Sequence, residues 1–133
     1  MRHYEIEIII DEITPCLRDN RNNIYVDTKY DKIEHITSVT ASQMQKYEKW
    51  NFNWSDPDLN DCSIYALYVE GSKQTQGLIA CREYKDQNQT KGYIEVALAE
   101  ANPKNVGSEG RYKGVGAHLF SIASRLSLKL GYD

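Results

Sequence analysis

The amino-acid sequence has few of the residues that cross-link or interrupt a fold. Its 133 residues include three cysteines and three prolines. Cys16, Cys62 and Cys81 lie far apart and without the spacing of zinc ligands, which favours reduced thiols and a cytoplasmic location over a disulfide framework. The longest aliphatic run near the start, at residues 8–10, is too short for a signal-peptide core or a membrane span. We therefore expect neither a secreted disulfide scaffold nor a membrane partner.

A strong excess of one charge is also missing. The 16 lysine and arginine residues stand against 19 aspartate and glutamate residues, which gives a net charge of −3. Such a balance produces no field that would attract nucleic acid, so we predict no nucleic-acid partner. The hydrophobic content of 41% is typical of a globular protein. Because the sequence has no repeat or linker, residues 1–133 are predicted to form a single domain with its own core.

The spacing of apolar residues predicts an α+β fold. The run 63–70 is apolar at both sets of alternating positions, which indicates a strand buried on both faces. Gly131 stands where a glycine commonly ends a helix. In chain order, strands are predicted at 4–10, 14–17, 24–28, 63–70, 77–84 and 92–101, a helix at 42–50, and a longer helix from 115 to 130.

The stretch after the last predicted strand holds the most informative pattern. The strand leads into a glycine loop, and the loop opens a helix whose first N–H groups have no partner within the helix. Gly114 and Gly116 let a ligand approach the backbone, and Arg111 and Lys113 add positive charge. Together they predict an anion site suited to a phosphate or pyrophosphate. A flexible loop with solvated charges is the alternative that the residues leave open.

Two common phosphate-binding motifs do not fit this loop. A Walker A loop places a lysine and then a hydroxyl residue after its last glycine, whereas Lys113 precedes Gly114. A dinucleotide fingerprint needs a third glycine, at the position that Leu119 holds, and a surrounding β-α-β unit. The anion site is therefore of another kind.

The spacing Arg-x-x-Gly-x-Gly, at Arg111, Gly114 and Gly116, resembles the acyl-CoA pyrophosphate motif of the GNAT superfamily of N-acetyltransferases. The resemblance extends back through the three preceding strands and forward through the helix 117–130, so it covers roughly the last half of the chain. It implies a protein that binds acetyl-CoA as co-substrate. It also implies direct transfer of the acetyl group to an amine acceptor, which the sequence does not identify.

The resemblance further implies roles for individual residues. Glu95 resembles the general base of the histone acetyltransferase branch, and Glu100 is the other candidate, with a surface glutamate as the alternative for each. Strand alternation places the two on opposite faces, so at most one would face the cleft. In the family, backbone groups of the strand before the loop pair with pantetheine and polarise the acetyl carbonyl, and loop amides hold the pyrophosphate. The matching strand positions are Leu98, Ala99 and Ala101, and the loop positions are Arg111, Tyr112, Lys113, Gly114, Val115 and Gly116.

The chain departs from the family in two places. The loop between Pro103 and Arg111 is longer than usual, and the sequence stops at Asp133, where the family continues with further strands and a helix. We therefore expect a GNAT-like mixed, mostly antiparallel sheet flanked by helices and lacking the last strands and helix. Its uncovered edge is expected to pair in a homodimer. Tyr132 is not given the role of the family's catalytic tyrosine. The alternatives to an active enzyme are a catalytically inactive truncated acyl-CoA-binding or interaction module, and a phosphoanion-binding module of unrelated fold.

Overall fold

A computed structural model describes residues 16–86, 91–107 and 110–132. The strand predicted at 4–10 lies outside these ranges. The described elements confirm an α+β fold with an antiparallel sheet and two helices. The strands are β1 (Cys16–Asp19), β2 (Ile24–Ile33), β3 (Ser63–Val69), β4 (Thr75–Lys85), β5 (Gly92–Ala101) and β6 (Tyr112–Lys113), and the helices are α1 (Ser38–Tyr47) and α2 (Val115–Lys129).

The six described strands form one sheet in the order β5-β4-β3-β2-β1-β6, and every pairing is antiparallel. The long strand β2 joins the two parts of the sheet, since residues 24–27 pair with β1 and residues 28–33 pair with β3. A hairpin joins β1 and β2: Asp19 ends β1, and its Oδ1 accepts hydrogen bonds from the amides of Arg21 (2.9 Å) and Asn22 (3.3 Å). Such a side-chain bond stabilises an Asx turn.

The central strands β3 and β4 are buried on both faces, whereas β2 is mostly exposed. On one face α2 packs on a core that includes Leu17, Leu67 and Ile79. On the other face α1 and the segment after it pack on a second core, which includes Ile64 and Ala66. Because β3 supplies residues to both cores, its predicted double burial is confirmed.

The helix α1 begins four residues earlier than predicted, at Ser38. Thr37 explains the shift, because its hydroxyl accepts a hydrogen bond from the amide of Thr40 (3.2 Å) and caps the helix. The helix also ends earlier, and Lys49 just beyond it has a φ of 66°. Of the three aromatic residues just beyond this end, Trp50 and Trp54 are 4% and 1% exposed and pack in the core, whereas Phe52 is 49% exposed.

The helix α2 begins at Val115 as predicted and lies directly on β4. A Cβ added at Gly77 would come within 2.9 Å of the Val115 side chain and 3.0 Å of the Leu119 side chain. This close packing fixes the start of α2 against the sheet. The predicted helix-ending role of Gly131 is confirmed by its φ of 86°.

Strand β5 lies at the edge of the described sheet and contains a bulge. Ala80 pairs with Leu98 while the next residue, Cys81, pairs with Val96, so Ala97 has no partner in the register. One extra residue reverses the alternation of side chains. The prediction that Glu95 and Glu100 lie on opposite faces is therefore wrong. Their cross-strand partners are Arg82 and Leu78, which share one face of β4 because they are four residues apart.

Candidate functional site

The loop that follows β5 is held to the sheet by three amide side chains. The side chain of Asn102 donates to the carbonyl of Thr75 (3.0 Å). The side chain of Asn105 donates to Gln76 Oε1 (3.0 Å) and accepts from the amide of Tyr112 (3.0 Å). Gln76 is itself 1% exposed. These contacts fix both described parts of the long loop relative to β4.

Arg111 forms a two-point ion pair with Asp19. Its Nε lies 3.0 Å from Oδ1 and its Nη2 lies 3.1 Å from Oδ2. The Asp19 side chain is 4% exposed and that of Arg111 is 26% exposed. The pKa of Asp19 is lowered well below its usual range, mainly because Arg111 donates to the carboxylate, although burial opposes the shift. The guanidinium thus pins the loop to the β1–β2 turn.

The backbone around this ion pair strengthens the same connection. The amide of Asn20 donates to the carbonyl of Arg111 (2.9 Å), and the Asn20 side chain donates to the carbonyl of Gly110 (2.7 Å). In the β1–β6 pairing, Asp19 lies opposite Tyr112. The Arg111 charge that was predicted to face a phosphate is therefore compensated within the fold.

Gly114 turns the chain from β6 into α2. Its φ of 94° is in the left-handed region, which a glycine enters without strain. It occupies the N-cap position of α2, where it offers no side chain to the first turn. The N–H groups of Val115, Gly116 and Ala117 in that turn have no acceptor within the helix.

Gly116 differs from Gly114 because the described fold gives no reason for a glycine there. Its φ is outside the left-handed region, and a Cβ added to it would meet nothing within 4 Å among the described residues. A glycine inside a helix costs roughly 0.5–1 kcal/mol relative to alanine. Close approach of a ligand to this backbone would supply the missing reason.

His118 lies beneath the loop in the first turns of α2. Its Nδ1 is 2.8 Å from the carbonyl of Gly114, so this nitrogen carries the proton and donates. Its Nε2 is buried and has no hydrogen-bond partner among the described residues. The residue is 8% exposed, so it packs within the fold.

A cavity of about 750 Å³ opens beside the loop. Two turns of the sheet and the loop itself form its walls. Of the nine described lining residues, three are cationic and none is acidic. They are Asn20, Arg21, Ser72, Gln74, Gln76, Lys104, Gly110, Arg111 and Tyr112.

The strand residues predicted to contact the cofactor all lie in the second half of β5. Leu98 is half-buried against the core that includes Ile64, and Ala99 and Ala101 are half-buried against the core under α2. Among the described strands, β5 pairs with β4 alone. No described strand pairs with the backbone groups on its other side.

Glu95 lies near the middle of β5 in a second polar cluster. Arg82 Nη1 donates to its carboxylate at 2.6 Å, and Arg82 Nε donates to Asp61 at 2.8 Å. The hydrogen bond from Arg82 lowers the pKa of Asp61, and the same bond raises the pKa of Arg82. The cluster borders a cavity of about 620 Å³ that Val96 and Ala97 also line. The bulged residue Ala97 and Glu95 therefore border the same cavity.

Glu100 has a role that the sequence did not indicate. It is 7% exposed and accepts hydrogen bonds from the amides of Asn51 (2.6 Å) and Phe52 (3.3 Å) and from the Trp54 indole (2.9 Å). This carboxylate anchors the segment after α1 to the sheet. A buried tryptophan needs an acceptor for its N–H. Trp54 is therefore the one residue in the sequence that indicates a buried acceptor such as Glu100.

The structure brings the predicted loop residues together but separates them from Glu95. Ala101 follows Glu95 by six positions, which is about 20 Å along an extended chain. Cys81 is a buried free thiol, and burial raises its pKa to about 12. The described residues hold no group of three histidine, cysteine or acidic side chains arranged for a metal ion. In the described part of the chain, no helix has the length and apolar character needed to cross a membrane.

Comparison with known proteins gives no relative: no family model, curated protein or solved structure matches this chain.

Proposed function

We propose that this protein is a GNAT-like N-acetyltransferase that binds acetyl-CoA and transfers its acetyl group to an amine. The observation that carries the proposal is the unit formed by β5, the loop and α2. A bulged edge strand leads to a left-handed glycine, Gly114, and then to a helix start where Gly116 has open space above it. This arrangement suits an extended ligand that carries a pyrophosphate at one end.

The pyrophosphate would lie against the first turn of α2. The amides of Val115, Gly116 and Ala117 would donate to its oxygens, and the positive end of the helix dipole would stabilise its charge. The ion pair with Asp19 leaves Arg111 with a positioning role, because it holds the loop in the conformation that aims these amides. Lys113 is exposed and adds positive charge beside them.

The pantetheine arm would extend along the outer edge of β5, past Ala101 and Ala99 toward Leu98. Amide groups of that edge would pair with the arm and polarise the thioester carbonyl. The bulge at Ala97 lies next to these positions and lines the cavity that contains Glu95. The reacting carbon would thus lie between the loop and Glu95.

In the proposed reaction the amine nitrogen attacks the thioester carbonyl carbon directly. The C–N bond forms as the C–S bond breaks, and CoA leaves as its thiolate, which water protonates. Glu95 would take the proton that the amine loses. Arg82 already donates to this carboxylate. Glu95 must therefore either accept the proton while it stays paired with Arg82 or leave Arg82 and pair with the amine.

The second candidate is an acyl-CoA-binding module without catalytic activity. One observation favours it: Arg82 already donates to Glu95 at 2.6 Å, which opposes its use as a base. Release of free CoA thiol from acetyl-CoA in the presence of a panel of primary amines separates the two candidates. An enzyme shows amine-dependent release, and this release falls at least tenfold in Glu95→Gln with unchanged acetyl-CoA affinity.

Isothermal titration with acetyl-CoA tests the binding step that both candidates share. Gly116→Glu places a carboxylate at the second position of α2, where it would repel a pyrophosphate while suiting the helix dipole. Val39→Glu is the matched control, since Val39 holds the second position of α1 and is 67% exposed. We expect Gly116→Glu to weaken binding at least tenfold and Val39→Glu to leave it unchanged. If the folded wild-type protein does not bind acetyl-CoA, the proposed function is wrong.

A further inference from the structure

The cavity beside the loop is built where three separate segments of the chain meet. The β1–β2 turn contributes Asn20 and Arg21, and the segment from the β3–β4 turn into β4 contributes Ser72, Gln74 and Gln76. The long loop contributes the rest of the wall, including Lys104. Its volume of about 750 Å³ lies within the usual range for small-molecule sites.

The positive charge of this cavity is only partly compensated. Asp19 balances Arg111 through the two-point ion pair. Arg21 and Lys104 remain, and among the described residues no carboxylate lies within ion-pair distance of either. Both side chains are exposed and border the cavity, so they can turn toward a ligand.

The pKa of Lys104 agrees with this excess of positive charge around the cavity. Its pKa is lowered, first by partial desolvation beside the loop and then by repulsion from Arg111 and Arg21, although Glu48 opposes the shift. Like charges gathered in this way repel one another until an anion lies between them. A group with two negative charges would stabilise the protonated form of Lys104 and the pair as a whole.

The cavity also lies within reach of the proposed pyrophosphate position. Tyr112 lines the cavity and precedes Gly116 by four residues, so the two lie within about 14 Å of each other. In CoA a single ribose separates the pyrophosphate from the 3′-phosphate. A ligand whose pyrophosphate contacts the start of α2 can therefore place its nucleotide in the cavity.

We propose that this cavity binds the 3′-phosphate of CoA, and that Arg21 and Lys104 are the residues that hold it. The proposal rests on the proposed function, because it assigns a second phosphate of the same ligand. A phosphate monoester carries close to two negative charges at neutral pH, which matches the two cations. The site would thus make the protein selective for CoA over ligands that carry only a pyrophosphate.

The test compares CoA with 3′-dephospho-CoA by isothermal titration. We expect the wild-type protein to bind CoA at least tenfold more tightly. Arg21→Gln and Lys104→Gln should each reduce this preference, and the double variant should bind both ligands with the wild-type affinity for 3′-dephospho-CoA. Lys129→Gln, which removes one positive charge at the other end of α2, is the matched control and should keep the full preference.

The outcomes separate this proposal from the one on which it rests. Equal affinity of the wild-type protein for the two ligands would overturn the 3′-phosphate site and leave acetyl-CoA binding intact. Binding of neither ligand by folded protein would overturn both proposals. A preference that persists in the double variant would place the 3′-phosphate elsewhere and would also overturn the assignment of Arg21 and Lys104.

Discussion

Two regions at the same end of β5 differ in how completely their polar groups are hydrogen-bonded. Around Glu100, the carboxylate accepts hydrogen bonds from two backbone amides and one indole, and the residue is 7% exposed. Around the start of α2, Gly116 faces open space and His118 Nε2 has no partner among the described residues. The fold explains the first region, while the second is the region for which we propose a ligand.

This difference shows which charged residues are available for chemistry. A buried carboxylate that accepts several hydrogen bonds contributes to stability, and its loss leaves buried donors unsatisfied. An exposed charge is solvated by water, so it needs no partner for stability and can still bind a ligand. On this criterion Glu100 and the Asp19–Arg111 pair are structural, whereas the exposed Arg21 and Lys104 remain available for the ligand that we propose.

The largest effect is expected on breaking the anchor at Glu100. Glu100→Ala leaves three N–H groups of residues 51–54 without their acceptor, and we expect a loss of about 3 kcal/mol in the free energy of unfolding. Glu95→Ala is the matched control on the same face of β5. Its side chain is 41% exposed in a solvent-screened ion pair, so the loss should be about 0.5 kcal/mol. Urea denaturation measures both, and equal losses would contradict the distinction.

The two loop glycines should respond to alanine in opposite directions. Gly114→Ala forces a Cβ into the left-handed region and should cost about 1–2 kcal/mol of the free energy of unfolding. Gly116→Ala should instead raise stability by up to about 1 kcal/mol, since it favours the helix and meets no neighbour. The same variant should bind acetyl-CoA less tightly. A destabilising Gly116→Ala would show that the fold itself requires this glycine.

The parts of the fold that local sequence patterns determine could be predicted. The bounds of β5 match the prediction because a glycine opens the apolar run and Asn102-Pro103 follows it. The contacts that define the site depend on distant residues. Asp19 and Arg111 are 92 positions apart, and the bulge at Ala97 depends on the register with β4. The donors to Glu100 include backbone amides, which no side-chain pattern identifies.

The ion pair that pins the loop should make stability depend on acid. Since the pKa of Asp19 is lowered in the folded state, its contribution is present above the ordinary carboxyl pKa of about 3.9 and is lost as pH falls below it. Asp19→Asn should be less stable than the wild type at neutral pH. As pH falls below about 4, it should lose less stability than the wild type does. Thermal melts across this range measure the difference, and parallel curves for the two proteins would exclude the assigned role of Asp19.

The smallest effect is expected at Tyr132, far from the loop, where the hydroxyl donates to Glu83. This hydrogen bond raises the pKa of Tyr132 to about 12. A folded-state pKa above the unfolded value of about 10 means that the contribution to stability is present below pH 10 and is lost as pH rises toward 12. Tyr132→Phe should remove this alkaline dependence while leaving acetyl-CoA affinity at neutral pH unchanged. Absorbance titration of the tyrosinates in both proteins provides the measurement. If Tyr132→Phe bound acetyl-CoA more weakly, Tyr132 would belong to the ligand site, and its hydrogen bond to Glu83 would not be purely structural.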